Sequence, residues 1–196
     1  MISGFKKTAI CAAMLTLGST TVCAEAGEPC RPFFAQMVLQ GVTFQAESPN
    51  EGSINLVTVR AETPEGKLGP IEVEADGTIT NVEVEDLNAD GYPEIYVYVN
   101  SAGSGSYGSL IAYASNRNRS LSEIYLPPLE DDTDASRGYM GHDTFAVGEG
   151  ALLRRFPVYR QGDMNAEPSG GTRQVQYRLE AGEAGWRLVP YNLVNF

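Results

Sequence analysis

Residues 94–115 read EIYVYVNSAGSGSYGSLIAYAS. Ile95, Val97 and Val99 alternate with Tyr96 and Tyr98, the period of two expected of a strand whose side chains leave on opposite faces. SLIAYAS resumes extended structure after the glycines, so the stretch is two strands and the loop between them. That loop is longer than a hairpin turn requires, and Tyr107 is its one large side chain.

The same pattern extends outward. In GPIEVEADGTITNVEVEDLN (69–88), Ile71, Val73 and Ala75 alternate with Glu72 and Glu74, and Ala75-Asp76-Gly77-Thr78 predicts a tight hairpin turn. A second turn is expected at Asn116 to Arg119. Near the end, Val175, Tyr177 and Leu179 alternate, Gly182 and Gly185 reverse the chain, and Trp186 and Leu188 alternate on the return. Helical periodicity is weak and is strongest just before residue 40. Two polar stretches, Glu130 to Asp143 and Gly162 to Gly171, read as surface loops. No internal repeat interrupts the series. The expectation is a single all-β domain, an antiparallel β-sandwich with a closed antiparallel barrel as the alternative.

The N-terminus reads differently. Lys6 and Lys7 precede a short apolar run, Thr8 to Leu17, and Ala24 and Ala26 form an A-x-A site. Residues 1–26 are therefore expected to be a signal peptide, leaving residues 27–196 as an exported β domain. The apolar run is too short for a membrane span. The chain carries 14 Lys and Arg against 25 Asp and Glu, a net charge of −11. Such a chain repels nucleic acid and anionic membrane, so neither is expected as a partner. Cys11 and Cys23 leave with the leader and Cys30 remains alone, so no internal disulfide framework is expected.

Most catalytic signatures fail. Gly103, Gly105 and Gly108 spell G-x-G-x-x-G, but no helix or βαβ unit follows to receive a pyrophosphate. Neither Ser104 nor Ser106 has glycines two residues away on both sides, as a nucleophile elbow needs. His142 is the one histidine, which rules out a zinc site built on several and reads as a loop residue. The many acidic residues leave a glycosidase-type carboxylate pair open, although no spacing marks one. DLNADGYPE is more informative. Asp86, Asn88, Asp90 and Glu94 place oxygens at positions 1, 3, 5 and 9 of a calcium-type loop, with Gly91 at its sharp turn and the Tyr92 carbonyl as a further donor. Position 12 is Val97, so an EF-hand is excluded, and a turn in which Asp and Asn bond their own backbone remains the alternative.

Ser104-Gly105-Ser106-Tyr107 is similar to the S-G-x-Y signature of bacterial periplasmic lysozyme inhibitors. The wider stretch from Asp86 to Leu129, and YRLEAGEAGWRLVPY near the C-terminus, resemble the inhibitors of invertebrate-type (i-type) lysozyme in particular. The resemblance implies a periplasmic, non-enzymatic protein that acts as a plug: its Ser104 to Tyr107 loop enters the enzyme's active-site cleft. There Ser104 would hydrogen-bond the acidic groups and Tyr107 would fill the cleft. It also implies a homodimer. Gly103, Gly105 and Gly108 would let the backbone approach closely and take positive φ. No cofactor is required, and calcium at Asp86 to Glu94 would be structural. The rival readings are a calcium-stabilised periplasmic module that binds glycans or a protein without inhibiting, and a secreted hydrolase using a carboxylate pair.

Overall fold

The structure is a computed structural model that describes residues 31–196 except Glu149 and Ala184. The expected leader, its cleavage site and all three cysteines lie outside the described residues.

Strands β1 (Phe33–Leu39), β2 (Val42–Ser48), β3 (Ile54–Thr63) and β4 (Gly66–Asp76) form a four-stranded antiparallel sheet in chain order. The remaining strands are β5 (Thr78–Glu85), β6 (Glu94–Asn100), β7 (Gly108–Asn116), β8 (Ser120–Tyr125), β9 (Thr144–Gly148), β10 (Ala151–Pro157), β11 (Thr172–Ala181) and β12 (Trp186–Asn195). They form an eight-stranded sheet in the order β5-β6-β7-β8-β12-β11-β10-β9. Its two edges meet. The β9 Val147 N–H donates to Glu83 Oε2 on β5 at 2.8 Å, and the Tyr98 hydroxyl reaches the same oxygen at 2.5 Å. Phe145 stacks on Tyr98 with ring centroids 5.7 Å apart. The large sheet is thus curled almost into a barrel, and the small sheet covers one wall of it. Sandwich and barrel, the two expected architectures, are both present in one all-β domain.

Strand β6 explains the arrangement. Ile95, Val97 and Val99 join Val42, Phe44, Val57 and Val59 in the core between the sheets. Tyr96 and Tyr98 point the other way, into the barrel core with Leu152, Phe156, Tyr177 and Leu188. Both faces are buried, so the alternation in EIYVYVN is between two kinds of apolar residue rather than between core and water. A strand buried on both faces holds its two ends firmly, and both ends carry loops of interest.

Three expectations need correction. Gly77 does not close a hairpin, because β4 and β5 belong to different sheets. Its φ of +135° turns the chain from one sheet to the other, and a Cβ there would collide with the Asn100 carbonyl. The buried Asn55 side chain pins this crossing by donating to the Gly77 carbonyl at 2.7 Å. The domain is also not wholly antiparallel, since Trp186 and Arg187 of β12 pair in parallel with Ile124 and Tyr125 of β8. The segment before residue 40 is strand β1. The turn after β7 is as expected, with Arg117 and Asn118 both at positive φ (51° and 59°), the geometry that suits a two-residue hairpin.

Candidate functional site

The glycine- and serine-rich loop joins β6 to β7. Its neck is closed by the Ser101 N–H donating to the Tyr107 carbonyl and by the Tyr107 N–H donating to Ser101 Oγ, both at 2.9 Å. Inside the neck, the Ser106 N–H donates to the Gly103 carbonyl at 2.9 Å. Ser104 stands exposed at the tip, and its hydroxyl has no hydrogen-bond partner among the described residues. Tyr107 is 49% exposed.

The glycines act otherwise than expected. Gly103, Gly105 and Gly108 all avoid positive φ, and it is Ser106 that adopts it, at 43°. Gly105 is needed because the Tyr107 ring lies over it, and Gly108 because a Cβ would meet Asp143 and Phe145. Around Gly103 there is open space. Close approach is therefore the role of two of the three, and backbone handedness of none.

Two other loops brace this one. The His142 N–H donates to the Gly105 carbonyl at 2.7 Å and reaches the Ser106 carbonyl at 3.2 Å. His142 itself sits at φ 59°, and Gly141 before it at φ +90°, where a Cβ would collide with the Gly105 carbonyl. From the third loop, Asn165 Nδ2 donates to the Ser104 carbonyl at 2.9 Å while its Oδ1 meets His142 Nε2 at 3.2 Å. Tyr159 anchors this Asn165 by donating its hydroxyl to the backbone carbonyl at 2.8 Å.

Beneath the loop lies a buried polar unit. The Asp143 side chain is 0% exposed. Its Oδ1 accepts from Arg154 Nε at 2.7 Å, and its Oδ2 accepts from the Tyr139 hydroxyl at 2.6 Å and from the Gly108 N–H at 2.9 Å. Arg154 also donates to the Tyr139 hydroxyl at 2.8 Å. Burial works against the Arg154 charge, but the Asp143 carboxylate outweighs it and holds the guanidinium above its ordinary pKa. Burial, with the hydrogen bond to Asp143, pushes the Tyr139 hydroxyl up, so it stays a donor at neutral pH. The Tyr139 ring then meets Tyr107 edge-on at 5.7 Å and Phe156 at 4.8 Å, carrying the exposed tyrosine down to the barrel core. The loop is presented as a rigid projection, with one free hydroxyl and one half-exposed aromatic ring.

Sequence reasoning placed Ser104, Gly105, Ser106 and Tyr107 together and missed Tyr139, Asp143, Arg154 and Asn165, which hold them. The available signal was Gly138-Tyr139-Met140-Gly141, two glycines bracketing an aromatic residue inside an acidic loop, which marks a close approach.

At the other end of β6 the acidic residues also converge. Asp86, Asp90 and Glu94 each offer a carboxylate oxygen within 4.8 Å of the others. Asn88 lies against them, its Nδ2 donating to Asp90 Oδ2 at 3.1 Å. Gly91 makes the expected turn at φ +87° and donates its N–H to Asp86 Oδ2 at 2.9 Å.

A sequence model of the family described as periplasmic lysozyme inhibitor of I-type lysozyme matches residues 37–138. No curated protein and no solved structure matches the chain. The matched stretch runs from β1 into the loop that ends at Asp143, so it contains both β6 loops and stops just short of the bracing residues. With more than half its length matched, the chain belongs to the family of periplasmic inhibitors of I-type lysozyme.

Proposed function

We propose that this chain inhibits an I-type lysozyme by inserting the Ser104–Tyr107 loop into the active-site cleft, and that it does so as an exported, non-enzymatic protein. The observation that carries the reading is the braced loop with its unpartnered Ser104 hydroxyl and half-exposed Tyr107. A glycosidase cleft is lined by carboxyl groups and shaped for sugar hydroxyls. A serine hydroxyl held at the tip of a narrow loop can occupy the place of one such hydroxyl. Tyrosine brings a large contact area with few torsions to freeze. Because two neighbouring loops already brace the projection, little conformational entropy is left to lose on docking. The acidic balance of the chain favours encounter with a basic enzyme.

The test is an I-type lysozyme activity assay with chicken-type and goose-type enzymes alongside, comparing the purified protein with Ser104→Ala and Tyr107→Ala. Stoichiometric inhibition selective for the I-type enzyme is expected. Hydrogen bonds to charged groups contribute about 1.5–3 kcal/mol, so Ser104→Ala should weaken inhibition roughly 10- to 150-fold. Tyr107→Ala should remove about 2 kcal/mol or more, at least ~30-fold. Inhibition left intact by both substitutions would overturn the loop mechanism. No inhibition of any class by the folded protein would overturn the inhibitor reading itself and favour the calcium-stabilised binding module. The homodimer implied by the family resemblance is part of the proposal, and a solution mass of one chain at working concentration would remove it.

A further inference from the structure

Glu94 opens strand β6, and its residue is only 1% exposed. Its Oε2 accepts from the Leu87 N–H at 2.9 Å and from the Tyr96 hydroxyl at 3.3 Å. Its Oε1 is buried and has no hydrogen-bond partner among the described residues. A buried carboxylate oxygen without a donor is costly, and native proteins rarely leave one so. The turn makes use of Oε2 only and leaves Oε1 idle. Asp86, Asn88 and Asp90 satisfy the backbone of residues 90–92 by themselves. Glu94 adds the Leu87 N–H to that pattern through Oε2 alone, and its carboxylate belongs to the group in which oxygens of Asp86, Asp90 and Glu94 fall within 4.8 Å of one another.

That spacing has a simple meaning. Oxygens bound to one calcium ion stand about 2.3–2.6 Å from it, so any two are at most about 5 Å apart. Among the described residues, no histidine or cysteine joins this group, so the donors are hard oxygens throughout. Such a set suits calcium, whereas magnesium demands a tighter octahedron at about 2.0–2.1 Å and retains its waters. We propose that the Asp86–Glu94 loop binds one calcium ion through Asp86, Asn88, Asp90 and the buried Oε1 of Glu94, locking the start of β6. The ion supplies the missing partner for Oε1 and neutralises a concentration of like charge. Asp86 extends the effect beyond the loop, since its Oδ2 also accepts from Gln40 Nε2 at 2.7 Å, in the turn between β1 and β2. This inference stands independently of the loop at the far end of β6.

The experiment uses chelator-stripped protein. Calorimetric titration with calcium chloride should give one ion per chain with Kd at or below about 1 mM, the range of extracellular modules. At calcium about 100-fold above Kd, the melting temperature should rise by roughly 5–10 °C. Magnesium at the same concentration should give less than a third of that rise. Asp90→Asn, at an exposed position, and Glu94→Gln should each abolish the rise. Glu94→Gln keeps the shape of the buried side chain and can carry no charge there, so it should melt at or above the stripped wild type, which separates loss of binding from loss of folding. Absence of calorimetric binding to the wild type, an equal rise with magnesium, or a full calcium response in both variants would each overturn the site.

Discussion

Two carboxylates are buried at opposite ends of strand β6, and they are treated differently. Asp143, below the projecting loop, has both oxygens served: Arg154 donates to one, and the Tyr139 hydroxyl and the Gly108 N–H donate to the other. Glu94, at the other end, has one oxygen served and one left bare. The first is a finished structural joint, a charge matched by a charge and fixed by neutral donors. The second is a joint missing a part. Burial, aggravated by Asp86 and Asp90, pushes the Glu94 carboxyl up to about 8, while the guanidinium beside Asp143 is held above its ordinary value. The same chemical group is therefore a brace where a cation is built into the chain, and a candidate ligand where none is.

Breaking the finished joint should have the largest effect. Arg154→Leu leaves Asp143 buried and unpaired, and removal of one partner from a buried pair costs about 3–5 kcal/mol. Urea unfolding should register this as a lower midpoint with unchanged slope. Inhibition should weaken as well, because Arg154 no longer holds the Asp143 carboxylate and the Tyr139 hydroxyl in place beneath the loop. A loss below about 1 kcal/mol would mean that solvent reaches Asp143 and that the two carboxylates are not opposites.

The unfinished joint should respond to pH. In calcium-free protein the folded-state pKa of Glu94, about 8, lies above the unfolded value near 4.5. Between these values the folded chain holds a proton that the unfolded chain has released. The stabilisation is complete below pH 4.5 and is lost as pH rises through 8. Unfolding free energy should thus fall by a few kcal/mol from pH 5 to pH 8.5, and Glu94→Gln should flatten the fall. Denaturant titrations at four or five pH values are sufficient. A wild-type slope indistinguishable from that of Glu94→Gln would show that Glu94 is not the titrating group.

The contrast also marks what a sequence reveals. Alternation in Glu94 to Asn100 gave away a strand, because period two is a local property of side-chain direction. Asp76-Gly77 looked like a hairpin because the residues of a tight turn and of a sheet-to-sheet crossing are the same; only the partner strands differ. The parallel pairing of β8 with β12 has no local signal, since it depends on how the far end of the chain closes the barrel. The acidic loop was legible because its ligand-type residues are neighbours. Ser104 and Tyr107 stood out through family resemblance. Asp143, Arg154 and Asn165 could not, because each is unremarkable in its own loop or strand and acquires meaning only where three distant segments meet.

The smallest expected effect gives the sharpest reading of the brace. Asn165 is exposed, and Asn165→Ala removes the Nδ2 bond to the Ser104 carbonyl while keeping the backbone carbonyl that Tyr159 holds. Global stability should change by less than about 0.5 kcal/mol, as for most surface substitutions. Inhibition should still weaken, by roughly 3- to 10-fold, because a looser tip must be ordered when it docks. His142 keeps its hold on Gly105 and Ser106, so the loss stays below that of Ser104→Ala. If Asn165 acts by positioning Ser104, the two substitutions share one effect, and the double variant Ser104→Ala/Asn165→Ala should inhibit almost as well as Ser104→Ala alone. Full additivity would mean instead that Asn165 touches the enzyme itself, and that the contact surface extends from the β6–β7 loop onto its brace.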